Sequence, residues 1–273
     1  DGDFDNGIIA HEYGHGISNR FTGGPSNTGC LGNSEQMGEG WSDYYSLMMT
    51  MKSTDTGPMG RGIGTYALGQ PTTGAGIRAR RYSTDLVINE FTYNNIKTAA
   101  IPHGVGHVWA TMLWEMTWGI IDAHGMSAGF DIAMNLVNEG MRIQPCSPGF
   151  VDGRDAILAA DGALYNGANQ CIIWTAFAKR GLGYSASQGS SNSTTDGTQA
   201  FDMPPAYIIK PSTSIQEVCQ GTNAVYNLSI TSCAGAGSAT LSATGLPMGA
   251  IATFVPNPVS VPNGSAVLTI SNT

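Results

Sequence analysis

A single break in composition limits how this chain can fold more than any other feature. From Ser185 to Ala200 the sequence reads SASQGSSNSTTDGTQA, with one charge and no large apolar side chain. Such a stretch cannot offset its ordering entropy by burial, so it reads as a linker or a surface loop. Before it, apolar residues recur at helical steps; after it, they alternate. The 273 residues therefore divide into a helical part, 1–184, a linker, 185–204, and a small all-β part, 205–273.

In the helical part, a first run over 5–20 carries Ile8, Ile9 and Tyr13 and stops at Thr22-Gly23-Gly24-Pro25, a strong breaker. A second begins after Asn33-Ser34 and continues through Met37, Trp41, Tyr44, Tyr45 and Met48. A third opens at Pro102, a residue favoured in a first turn. Its Val105, Val108, Trp109, Met112, Leu113, Met116 and Ile120 recur every three or four residues, so one face is core. Runs near 127–141, 151–165 and 169–180 complete a helical bundle, in which Trp109, Trp114 and Trp118 read as packing residues. Residues 56–78 are Gly-rich and aperiodic, a long loop of the kind that walls a cleft. In the β part, Tyr226, Leu228 and Ile230 alternate with Asn227 and Ser229. Runs at 239–241, 250–254 and 266–270 give further short strands between Gly, Pro and Asn turns. The pattern suggests a β-sandwich, short enough to be truncated, with Cys219 and Cys233 placed to close a small loop.

Charge narrows the function. Twenty acidic and 12 basic residues give a net charge of −8, which removes any electrostatic reason to bind nucleic acid or anionic lipid. There is no apolar run of 18 residues, so no transmembrane segment is expected. The five Cys include no CxxC pair, against a thiolate zinc knot and in favour of disulfides in an oxidising compartment. The chain opens on Asp1, close to a buried-looking helix, and shows no signal peptide. It is expected to be a fragment whose export is directed by a segment outside it.

The chemistry centres on His11-Glu12-Tyr13-Gly14-His15. Residues four apart on a helix lie one above the other, so both imidazoles can reach one metal ion, with Glu12 offset beside it. Imidazole and carboxylate ligands suit zinc with a position left open for water, and Glu12 can take a proton from that water. Only five His occur in the chain, so a pair at ligand spacing carries weight. A third ligand is sought in the next helix, where Glu35, Glu39 and Asp43 form an acidic stripe among Met37, Trp41, Tyr44 and Met48. Like charges in a half-buried helix repel unless a cation or imidazolium compensates. Glu39 is the preferred ligand, and Asp43, one turn on, is placed to accept the ring N–H of His11. Glu35 stays open as a ligand if the register shifts.

His11-Glu12-Tyr13-Gly14-His15-Gly16-Ile17-Ser18-Asn19-Arg20, followed by Gly38-Glu39-Gly40-Trp41-Ser42-Asp43, resembles the fungalysin family of secreted zinc metalloendopeptidases, within the thermolysin-like group. The likeness continues through Arg81-Tyr82-Ser83-Thr84-Asp85, Val108-Trp109-Ala110 and Ala176-Phe177-Ala178-Lys179-Arg180-Gly181-Leu182-Gly183, and so covers about 1–184. It implies a mainly α fold, the helical catalytic subdomain of a thermolysin-like zinc metalloprotease, followed by the all-β sandwich. It also implies one catalytic zinc on His11, His15 and Glu39, Glu12 as general base, and Asp43 behind the first His. A β-rich lobe and a pro-segment, both absent from this chain, are implied too. The terminal module resembles immunoglobulin-like domains appended to secreted bacterial proteases, so an extracellular location and a bacterial source are expected. Cys146 and Cys171 resemble a family pair, which leaves Cys30 unpaired or bonded to the absent lobe.

The expected reaction is hydrolysis of peptide bonds in proteins or peptides by a metal-activated water. His103, at the opening of the third helix, resembles a cleft histidine of related enzymes and is the expected oxyanion donor. Tyr82, Tyr66 and Tyr93 are weaker candidates for the same task. His107 reads as packing or cleft wall, and His124 as a C-terminal cap. Asp5 reads as a helix cap. Calcium on loop carboxylates such as Asp122 or Asp152 has no motif behind it. Two other readings compete: an inactive metal-binding scaffold or adhesin, and a glycan-binding module confined to 205–273.

Overall fold

The first helix begins where Asp5 can cap it. In the computed structural model, Asp5 Oδ1 accepts from the amides of Gly7 (2.8 Å) and Ile8 (3.1 Å), and Oδ2 accepts from Ala67 N of a distant loop. The structure describes residues 1–204, 207–233 and 236–271, apart from the side chain of residue 263. Among the described residues, six α-helices run in order: α1 (Asn6–Phe21), α2 (Gly38–Met49), α3 (His103–His124), α4 (Met126–Ile143), α5 (Phe150–Tyr165) and α6 (Gln170–Lys179). Among those residues, six short strands follow: β1 (Ile208–Pro211), β2 (Ala224–Thr231), β3 (Gly237–Ala239), β4 (Ile251–Val255), β5 (Val259–Val261) and β6 (Asn263–Ser271). This is the expected helical region followed by a β module.

The chain divides into two compact units, Asp1–Met203 and Pro204–Thr273. In the first, α3 is the axis. Its buried residues run all round the helix, as a helix enclosed by others requires. Trp109 packs edge-on against Trp41 at 5.0 Å and Phe150 at 5.1 Å, so α2, α3 and α5 share one aromatic core. Glycines set the closest approaches. A Cβ on Gly14 of α1 would lie 2.9 Å from Ser42 Cα of α2, and one on Gly106 of α3 would lie 2.4 Å from Glu39 Cβ. Small residues at these crossings thus bring three helices together around one spot.

The polar stretch after Ser185 is tied to the helical unit by hydrogen bonds in place of apolar burial. Ser187 pairs with Thr198 in an antiparallel bridge, Glu35 N donates to Ser191 O, and Gln188 binds Asp152 through both amide atoms. It is a surface loop of the first unit. In the second unit, β1-β2-β6-β4 form an antiparallel sheet and β3-β5 a separate pair. Leu228, Ile230, Leu241, Val259 and Val261 make their core. Strands β1 and β5 lay outside the runs read from the sequence, being only four and three residues long.

The cysteine pairings differ from expectation. Cys146 is bonded to Cys30, not to Cys171, with Cα atoms 4.6 Å apart. The reason lies in the 22–33 loop, which is rich in polar residues yet folds inward. Thr22, Cys30, Leu31 and Asn33 are all buried, and Ser147 N donates to Cys30 O at 2.8 Å. Asn33 Nδ2 donates to Pro148 O, so polar side chains hold the loop against the end of α4. Cys219 is a free, exposed thiol, so the expected Cys219–Cys233 bridge does not form. Among the described residues, no helix is long and apolar enough to cross a membrane.

Candidate metal centre

Helix α1 presents His11 and His15 one turn apart, their ring centroids 4.9 Å from each other. Because Gly14 admits α2 so closely, Glu39 in the first turn of α2 faces both rings. Its carboxylate lies 3.3 Å from His11 Nε2 and 3.6 Å from His15 Nε2. One donor atom from each of the three residues falls within 4.8 Å of the other two. Glu12 sits beside His11 on the exposed side of α1.

A buried network lies behind this triad. Asp43 Oδ1 is 2.8 Å from His11 Nδ1, which leaves His11 Nε2 for the cluster. Asp43 is itself fully buried and is satisfied from two further directions. Arg78 donates from Nε (2.7 Å) and Nη2 (2.8 Å), and the Tyr82 hydroxyl donates to Oδ2. Arg78 Nη2 also reaches Glu39 Oε2 at 3.2 Å. His103, at the first position of α3, completes the mouth. Its Nε2 is 3.5 Å from Glu39 Oε1, and the ring is largely exposed.

Charge and burial oppose each other here, and the partners decide. Burial disfavours ionised Asp43, but His11 and Arg78 outweigh it and hold the carboxyl well below the usual range. Burial likewise works against charge on His11, yet hydrogen bonds to Asp43 and Glu39 lift that imidazole to about 9. His15 is pushed down by burial and by the charge of His11. Glu39 resists its own burial and stays below the ordinary carboxylate value because His11, His103 and His15 surround it.

The donor set fits a divalent cation. Two imidazole nitrogens and one carboxylate converge, and the other nitrogen of His11 is anchored by a carboxylate, as for a ligand held in one tautomer. This His-His-Glu cluster is metal-coordinating in kind.

Other candidates lie elsewhere. Glu35 is outside the cluster, where it accepts from Tyr93 Oη at 2.6 Å and Phe150 N at 3.0 Å. Tyr82 commits its hydroxyl to Asp43, Tyr93 commits its own to Glu35, and Tyr66 is exposed beside a separate cavity near Asp5. Asp152 caps α5 through Gly149 N, and His124 Nε2 lies 2.8 Å from Asn169 Oδ1 at the end of α3. Arg78 was not anticipated. The need for a cation beside the acidic stripe was readable, but the residue that meets it arrives from an aperiodic loop 35 positions after Asp43.

With that geometry in view, the comparison with known proteins is decisive: residues 1–186 match the fungalysin metallopeptidase (M36) family. The chain belongs to that family. It is 47% identical over 201 residues to extracellular metalloproteinase 3 of Arthroderma otae, an alignment covering 68% of this chain and 31% of that protein. It is also 47% identical over 209 residues to extracellular metalloproteinase 3 of Trichophyton tonsurans (71% and 32%) and to extracellular metalloproteinase 10 of Coccidioides posadasii strain C735 (71% and 33%). The chain thus spans about a third of the length of these curated relatives. They are fungal, which overturns the bacterial source expected from the terminal module. The family match lies on the helical unit, and the second unit is a small β-strand module outside it.

Proposed function

We propose that this chain carries the catalytic centre of an extracellular zinc endopeptidase that hydrolyses peptide bonds in proteins. The observation that carries the reading is the convergence of His11, His15 and Glu39 with Asp43 locked behind His11. In this reading His11, His15 and Glu39 hold one zinc ion. Bound there, zinc acts as a Lewis acid on the scissile carbonyl and makes water acidic enough to attack near neutral pH.

The chain's own side chains do the rest. Glu12, exposed next to His11, accepts the proton of the attacking water and passes it to the departing amine. His103, exposed at the cleft mouth, donates to the carbonyl oxygen as that oxygen gains charge. Asp43 fixes the tautomer of His11, and Arg78 balances the two carboxylates. The opposite wall of the cleft and a pro-segment belong, on the family resemblance, to a longer protein; the fraction of the relatives' length matched here agrees with that. The β module is read as an immunoglobulin-like domain, supported by its antiparallel sheet and its small second sheet.

The test is hydrolysis of a denatured protein by the full-length protein, with wild type compared to Glu12→Gln. Loss of turnover by ~100-fold or more, with zinc content unchanged, is the expected result. Retained turnover in that variant would remove Glu12 as the base, and a zinc-loaded wild type that cleaves nothing would overturn the peptidase reading.

A further inference from the structure

Beside the metal centre lies a cavity of about 370 Å³ walled by Ile77, Arg78, Phe91, Ala99, His103 and His107. Arg78 and His103 each touch Glu39, at 3.2 and 3.5 Å, so a side chain seated here belongs to a residue close to the reacting bond. The walls are mostly apolar, and their polar groups are largely committed. Arg78 is spent on Asp43 and Glu39, and Asn95 Oδ1, also at the wall, accepts from Thr92 N at 2.8 Å.

His107 is the exception. It is 1% exposed, and its ring lies 4.9 Å from that of Tyr82 and 5.0 Å from that of Phe91. Among the described residues its Nε2 has no hydrogen-bond partner. A buried polar atom without a partner is costly, and His107 lines this cavity, so a ligand group that reaches its Nε2 supplies what is missing. Burial pushes the imidazole down to about 4, so at neutral pH it is an uncharged group. Such a ring matches a neutral polar tip better than a charged one.

We propose that this cavity seats a tyrosine of the peptide substrate and that His107 determines the choice by hydrogen bonding to the phenolic hydroxyl. The inference rests on the peptidase reading and deepens it by naming a substrate side chain. Tyrosine joins an apolar ring, suited to Ile77, Phe91 and Ala99, to a single polar tip. A site that satisfies a hydroxyl rejects the analogue lacking it, because the buried partner is then left unpaired.

The experiment uses the full-length, zinc-loaded protein and pairs of peptides that differ only in tyrosine or phenylalanine at each position flanking the cleaved bond. At one position wild type is expected to favour tyrosine over phenylalanine in kcat/KM by tenfold or more. That ratio is expected to collapse toward one in His107→Leu and to survive in part in His107→Gln, which keeps a hydrogen-bonding group. A purely packing role for His107 leaves the ratio unchanged, and that result overturns the proposal. Wild type with no preference at any position overturns it too, with no variant needed. Cleavage of neither peptide by the zinc-loaded protein instead refutes the peptidase reading itself.

Discussion

Replacing Glu35 with glutamine should change how the helical unit responds to pH. The carboxyl is fully buried and accepts hydrogen bonds from Tyr93 Oη and Phe150 N. The charged groups facing it are acids, Asp196 on the 187–199 loop and Asp152 at the start of α5. Burial, helped by those acids, lifts its pKa from 4.5 to about 7, against the pull of Tyr93 and Phe150. Folding therefore raises the proton affinity of this group. Between roughly pH 4.5 and 7 the folded state holds a proton that the unfolded chain has lost, so stability falls as pH rises. The favourable contribution is complete below the unfolded pKa and gone once pH passes the folded one.

The size of the effect follows from the shift. At ~1.4 kcal/mol per pKa unit, Glu35 costs the wild type about 3 kcal/mol on going from pH 4.5 to above 7. Glutamine has nearly the same shape and does not titrate. The stability of Glu35→Gln relative to wild type should thus rise by about that amount across the window, while pH effects common to both proteins cancel. Urea unfolding at a series of pH values measures it, read by tryptophan fluorescence. All five tryptophans (Trp41, Trp109, Trp114, Trp118 and Trp174) lie within Asp1–Met203, so the signal reports the unit that holds Glu35. A difference that stays flat from pH 4 to 8, or that moves in favour of wild type, would show that Glu35 is not held neutral by its burial.

Two further perturbations probe other parts of the structure. Removing the Cys30–Cys146 bond by replacing both residues with alanine frees a loop closed over 116 residues; the chain-entropy account puts the loss at about 5 kcal/mol, and a drop under ~1 kcal/mol in the same urea assay would exclude that account here. Asp43→Asn should weaken zinc binding by ~10–100-fold in a chelator competition, because the amide cannot match the carboxylate as an acceptor from His11; unchanged affinity would mean that Asp43 does not tune the ligand.

What could be read from the sequence, and what could not, divides by the distance over which each interaction is set. His11 and His15 lie on one helix, so a four-residue spacing sufficed to bring the two imidazoles together. Glu39 and Asp43 lie on the next helix and share one face, so their approach to those imidazoles followed once that helix was placed. Glu35 shares the same stripe but not the same environment. It precedes the first turn of α2, where the chain turns toward Tyr93 and the start of α5. Periodicity alone extends the stripe by one residue too many, since it carries no information about where a helix begins. Arg78 and Cys30 illustrate the other limit. Both come from aperiodic loops, and their partners lie 35 and 116 positions away. Composition marked the loop of Cys30 as surface because it counts polar side chains as solvated, yet Thr22 and Asn33 are buried by hydrogen bonding to Gln144 and Pro148. Side chains that satisfy one another can fold a polar segment inward as firmly as apolar burial does, and no local pattern announces which of the two will hold a given loop.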